Sequence, residues 1–152
     1  MKPEQPASVI FSGTFERSLD SKNRVTIPAA WISGMGAEFQ VVPNPKPEEP
    51  FLIVMLPEEF SKMEERIMSL DQPAAMKRQA VRAFYSAARA VTMDKQGRIL
   101  LPEDYCRKTH LSGEVNLIGG KSRFEIWSRD RWQKASEDML PEYEKIADLI
   151  GL

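Results

Sequence analysis

One cysteine and one histidine among 152 residues remove most reaction chemistry from consideration. Cys106 has no partner for an internal disulfide, and with His110 alone it does not make the four-ligand set of a zinc cluster. The two lie four residues apart, at helical spacing, but no third group completes a nucleophile and base. The sequence therefore predicts no enzyme, no metal site and no cofactor. Apolar runs fall far short of the roughly 20 residues that a membrane helix requires. The opening MKPEQPAS lacks the apolar stretch of a secretory signal, so the expected location is the cytoplasm, without a membrane partner. A positive excess is missing too. The 21 Lys and Arg face 22 Asp and Glu, whereas nucleic-acid-binding domains usually carry a visible surplus of bases. That average conceals an asymmetry. Between residues 76 and 98 six bases, Lys77, Arg78, Arg82, Arg89, Lys95 and Arg98, meet one acid, Asp94.

What the chain does contain is one phrase written twice. LDSKNRVTIP at residues 19–28 returns as MDKQGRILLP at residues 93–102, at a constant offset of 74 residues. Turn chemistry accounts for part of it. The residue before each arginine is Asn23 in one copy and Gly97 in the other, the types that most readily take a left-handed backbone. Both copies thus read as hairpin tips, with Asp20 and Asp94 placed to accept amides of the turn and to pair with the arginine four residues on.

The surrounding pattern repeats as well. VIFSGTFERSLD alternates as a half-buried strand does, and RVTI is its return strand. Pro28 and Pro102 each precede a short helical segment, carrying Trp31 and Tyr105 at matching places. A second strand pair follows in each copy, FQVV to FLIVM and VNLIG to FEIWS, the first joined by the proline-rich loop PNPKPEEP. Between the copies, Pro57 opens a helix with Phe60, Met63, Ile67 and Leu70 on one side. A second helix after Pro73 is expected to turn Met76, Ala80, Phe84 and Ala87 inward. Ser128 caps a helix containing Trp132, and Pro141 restarts the chain as a terminal helix. Trp31, Phe60, Trp127 and Trp132 are expected in the core or between subunits. The boundaries read 1–8 for an N-terminal arm, 9–57 for the first half, 58–90 for a helical connection, 91–130 for the second half and 131–152 for C-terminal helices. Neither half has strands enough to cover its own apolar residues, which favours an α+β fold of two halves packed about a pseudo-twofold axis. GGKS at 119–122 is not a phosphate loop, because Val115 stands where that motif needs glycine and a strand follows instead of a helix.

The two Asp-x-x-x-Arg phrases, the flanking Pro28 and Pro102, and LIGGKSRFEIWSRDRW at 117–132 together resemble the MraZ family of bacterial regulators of the division and cell-wall gene cluster. The resemblance implies two AbrB-like halves in which swapped hairpins interleave into a small β-barrel. It also implies a homo-oligomeric ring, nucleoid-associated, that binds repeated promoter elements on double-stranded DNA upstream of its own gene cluster and represses it. On that reading Arg24 and Arg98, just past the hairpin tips, reach phosphate or guanine and enter successive grooves. Lys22, Lys95 and, less centrally, Arg17 supply phosphate contacts. Asp20, Asn23, Asp94 and Gly97 shape the turns and orient the arginines. Two other functions fit the same residues: a ring-forming scaffold whose Asp–Arg pairs only tie off hairpins, and an antitoxin-like protein of the same fold that also holds a toxin.

Overall fold

The computed structural model describes residues 10–32 and 36–152; the expected arm at 1–8 lies outside them. Alternating apolar residues build most of the strands. β1 (Thr14–Ser18), β3 (Glu38–Pro43), β4 (Leu52–Met55), β5 (Arg89–Thr92), β7 (Glu114–Gly119) and β8 (Arg123–Ser128) form one antiparallel sheet in the order β1-β7-β8-β4-β3-β5. β2 (Arg24–Thr26) and β6 (Arg98–Leu100) form a separate two-stranded ribbon.

The pairing is an exchange. β1 opens the first copy of the repeat yet pairs with β7 of the second, and β5 opens the second yet pairs with β3 of the first. The seam between them is β4 against β8, with Leu52 opposite Ile126 and Val54 opposite Phe124. In the ribbon Val25 lies opposite Ile99, both without solvent exposure. The expected tight turn after Leu19 is present, but its two arms then part, β1 to the sheet and β2 to the ribbon. The amphipathic arms explain this: each has an apolar face that needs a partner surface larger than its own hairpin offers.

Sheet and ribbon enclose one apolar core. Phe124 is fully buried, with the rings of Phe11 at 5.1 Å, Trp31 at 5.1 Å and Phe39 at 6.3 Å. Trp31 sits on α1 (Ala29–Ile32), its indole N–H donating to the Ser12 carbonyl at 2.9 Å. Tyr105 occupies the matching place on α5 (Glu103–Lys108), also buried.

The helices depart from the sequence pattern in three places. α2 (Pro57–Ser61) and α3 (Met63–Met68) are separate short helices, and Leu70 lies beyond them, exposed. α4 (Ala74–Ala87) packs on α3, reaches α2 where Phe84 meets Phe60 at 5.2 Å, and meets the sheet at β3. Met76, expected inward, is 56% exposed, and Ala80 is exposed as well. A helix that meets its own chain along one narrow side has nothing to cover the rest of its apolar stripe. The C-terminal segment is one helix, α6 (Arg129–Ile150), with Pro141 inside it; no second helix starts there. Pro141 removes one intrahelical bond, but Glu137, whose carbonyl loses its partner, is exposed and can be solvated.

Phe124→Ala leaves a void among three other aromatic rings and is expected to cost about 3–5 kcal/mol in chemical denaturation. Phe60→Ala, at a half-buried ring outside this core, is expected to cost less.

Candidate nucleic-acid interface

Each repeated phrase folds into the same turn. The Asn23 amide donates to the Asp20 carbonyl (3.0 Å) and the Asp20 amide to the Arg24 carbonyl (3.0 Å), with Asn23 at φ 61°. In the second copy Gly97 donates to Asp94 (3.0 Å) and Asp94 to Arg98 (2.8 Å), with Gly97 at φ 76°. This is the three-residue hairpin loop in which a left-handed residue completes a bulge. It explains why asparagine and glycine are the two types at this place.

The aspartates hold the turn from inside. Asp20 Oδ1 accepts the amides of Lys22 (2.9 Å) and Arg24 (2.8 Å), and Oδ2 accepts Arg24 Nε at 2.6 Å. Asp94 does the same with Gln96 (2.9 Å), Arg98 (2.9 Å) and Arg98 Nε at 3.0 Å. The arginine backbone amide is the foremost cause that holds each carboxyl below its ordinary value of 3.8, aided by the guanidinium and by the Lys22 or Gln96 amide. Because each aspartate engages Nε, the two terminal Nη groups of Arg24 and of Arg98 have no protein partner among the described residues. A carboxylate that fixes the stem of an arginine while leaving its fork open orients a donor pair outward.

Both arginines lie on one surface. Arg24 is opposite Leu100 and Thr26 opposite Arg98, so these four side chains share the outer face while Val25 and Ile99 face the core. The two arginines are diagonal neighbours, roughly 7–8 Å apart with their Cβ atoms somewhat closer. Lys22 and Lys95 are exposed at the turn tips. Arg17 is differently employed. Its Nε donates to the Thr26 carbonyl at 3.3 Å and Nη1 to the Glu16 carbonyl at 2.8 Å, tying β1 to the ribbon. In the basic stretch, Lys77 closes α3 through the Met68 and Leu70 carbonyls, and Arg89 is held bidentately by Asp104 at 2.6 and 2.7 Å. Two of its bases therefore serve the fold. Thr26 and Leu100 escaped the sequence reading, because their place beside the arginines depends on a pairing between copies 74 residues apart.

Burial pushes the Cys106 thiol up to about 11, which leaves it protonated and unreactive. Among the described residues no three His, Cys, Asp or Glu side chains gather as for a metal ion. No described helix is long and apolar enough to cross a membrane.

Comparison with known proteins identifies the family. A family model described as "MraZ protein, putative antitoxin-like" matches residues 84–149. The "Transcriptional regulator MraZ" of Heliobacterium modesticaldum is 35% identical over 141 residues, 93% of this chain and 96% of that protein. The chain belongs to the MraZ family. The proteins of the same name from Desulforamulus reducens and Moorella thermoacetica are each 34% identical, over 93% and 91% of this chain and 97% and 95% of their own length. The resemblance carried by the repeated Asp-x-x-x-Arg phrases therefore extends over nearly the whole MraZ sequence.

Two outcomes test the turn. Gly97→Ala puts a Cβ 2.9 Å from Ile32 Cδ1 on a left-handed backbone and is expected to cost about 1–2 kcal/mol, whereas Asn23→Gly is expected to be neutral or slightly stabilising. The lowered carboxyl values mean that each aspartate contributes in full above pH 3.8 and loses its contribution as pH falls further. Asp20→Asn with Asp94→Asn is thus expected to flatten the acid limb of a stability-against-pH curve.

Proposed function

We propose that this chain is a sequence-specific DNA-binding transcriptional regulator that lays the β2–β6 ribbon in the major groove. The observation that carries the reading is the pair of arginines on one ribbon face, each held through Nε by an aspartate with its Nη fork open. A two-stranded ribbon fits the major groove, and an arginine fork is the commonest reader of guanine O6 and N7. The two arginines rise from one ribbon face as diagonal neighbours, so both forks are presented to one short stretch of bases. One chain therefore addresses one groove with both arginines, in place of the successive grooves that separate hairpins suggest. Lys22 and Lys95, beside the ribbon, contact phosphates and set position. Arg17 supports the ribbon at the edge of β2.

The architecture we assign is a tandem of AbrB-like halves, residues 9–57 and 91–130, with swapped hairpins about a pseudo-twofold. The exchange of β1 and β5 between the halves supports it. The chain acts as a homo-oligomer, in a ring, on repeated promoter elements of its own gene cluster, in the cytoplasm at the nucleoid, as a repressor. Uncovered apolar residues on α6, among them Leu140, Ile146 at 51% and Leu149 at 80% exposure, support association of copies. A near-neutral chain gains DNA affinity by presenting several ribbons at once. A scaffold reading and the antitoxin-like reading remain as outcomes of the test.

Binding is measured to DNA from upstream of the gene and to scrambled DNA, across a salt series, with oligomer size recorded. Arg24→Ala and Arg98→Ala are each expected to lower affinity for the upstream DNA by tenfold or more and to erase the preference, with size unchanged. Lys22→Ala and Lys95→Ala are expected to weaken both DNAs alike and to reduce the salt slope by about one each. Arginine variants that merely dissociate the assembly would favour the scaffold, and a small protein that co-purifies would favour the antitoxin.

A further inference from the structure

The outer face of the ribbon holds an oddity that arginine readout does not use. Leu100 is 56% exposed in the middle of a surface otherwise made of Arg24, Thr26 and Arg98. The ribbon's hydrogen bonds show how close it stands to its neighbour. Ile27 and Leu101 donate their amides to the Gly97 and Asn23 carbonyls, at 2.8 and 2.9 Å. By the alternation of an antiparallel ladder, the pairs Arg24–Leu100 and Thr26–Arg98 are then the non-hydrogen-bonded ones, where Cα atoms come to roughly 4.5 Å and side chains are nearest. Each arginine thus has one methyl-bearing side chain directly across from it, donated by the other copy of the repeat.

We infer that Leu100 and Thr26 are specificity residues that pack on thymine C5-methyl groups beside the guanines read by Arg24 and Arg98. The inference rests on the DNA-binding reading and deepens it. Of the four bases only thymine carries a methyl group in the major groove, and apolar or threonine methyl contact is how proteins detect it. A guanidinium fork on guanine and a methyl across the ribbon from it read two neighbouring positions together. The composition of the face agrees, since it offers two forks and two methyl-bearing side chains, while the neighbouring Asp20 and Asp94 carboxylates, which could otherwise select cytosine, are engaged by turn amides and arginine Nε. Val25 and Ile99, the other apolar residues of the ribbon, face the core and are not available.

Removal of the methyl from either side tests this. A duplex selected from a random pool by the wild-type chain is remade with each thymine in turn replaced by deoxyuridine, which lacks only that methyl. Binding is measured by fluorescence anisotropy at fixed salt for wild type, Leu100→Ala and Thr26→Ser, with oligomer size recorded; both substitutions lie on exposed positions. The expected result is one thymine at which deoxyuridine weakens wild-type binding about fourfold, the effect of one buried carbon, and has no effect on Leu100→Ala. A second thymine is expected to show the same coupling to Thr26→Ser. Deoxyuridine effects that persist undiminished in both variants, or are absent at every thymine, overturn the inference, as does loss of assembly in Leu100→Ala without any methyl coupling. If the wild type selects no sequence from the pool, the DNA-binding reading itself fails and the inference falls with it. If guanine changes still couple to Arg24 and Arg98 while no thymine couples to the methyls, only the inference fails.

Discussion

Val25 against Ile99 is the contact on which the outer surface depends. It joins residues from the two copies of the repeat, it is fully buried, and it sets the register of the ribbon. Side chains alternate along a strand, so a slip of one residue would turn Arg24 and Arg98 toward the core and bring the two β-branched residues into water. Burial of each apolar side chain is worth roughly 1.5–3 kcal/mol, and burial of an unpaired guanidinium costs more, so the register is firmly chosen. The core thus orders the surface. Neither copy can present its arginine correctly alone, because the strand that fixes its register belongs to the other.

Within that frame each aspartate links backbone to side chain. One oxygen takes two amides of the turn, and the other takes the guanidinium stem, so the shape of the loop and the direction of the arginine are determined together. The pair is a fold element and a positioning device at once. The two readings that the sequence left open for Asp-x-x-x-Arg are compatible in one geometry.

Local chemistry was legible in the sequence, and distant pairing was not. The turns, the left-handed residues, the short helices after Pro28 and Pro102 and the later strand pairs all follow from periodicity and turn residues within a dozen positions. The parting of β1 from β2 leaves no local mark, since both still read as half-buried strands. The shared face of Arg24 and Arg98, and with it Thr26 and Leu100, was therefore hidden. Arg17, in sequence a further candidate for phosphate contact, donates to the Thr26 carbonyl of the ribbon and to the Glu16 carbonyl of β1, a placement that no local pattern marks. The inward face assigned to α4 failed for a different reason: an amphipathic pattern shows that a helix has something to cover, and not which chain supplies the cover. Pro141 reads in sequence as a boundary, and an exposed helix absorbs it.

A protein that binds as two identical halves reads the same from either end, and its sites are palindromes. Here the two halves are joined in one chain and have diverged where they meet the ribbon's outer face: leucine opposite one arginine and threonine opposite the other, a lysine at the third place of one turn and at the second place of the other. The ribbon consequently has a front and a back. On the proposed DNA-binding reading, a surface with a direction is set down in one orientation and then again, one interval further along, in the same orientation, so that repeated elements would be counted head to tail instead of mirrored.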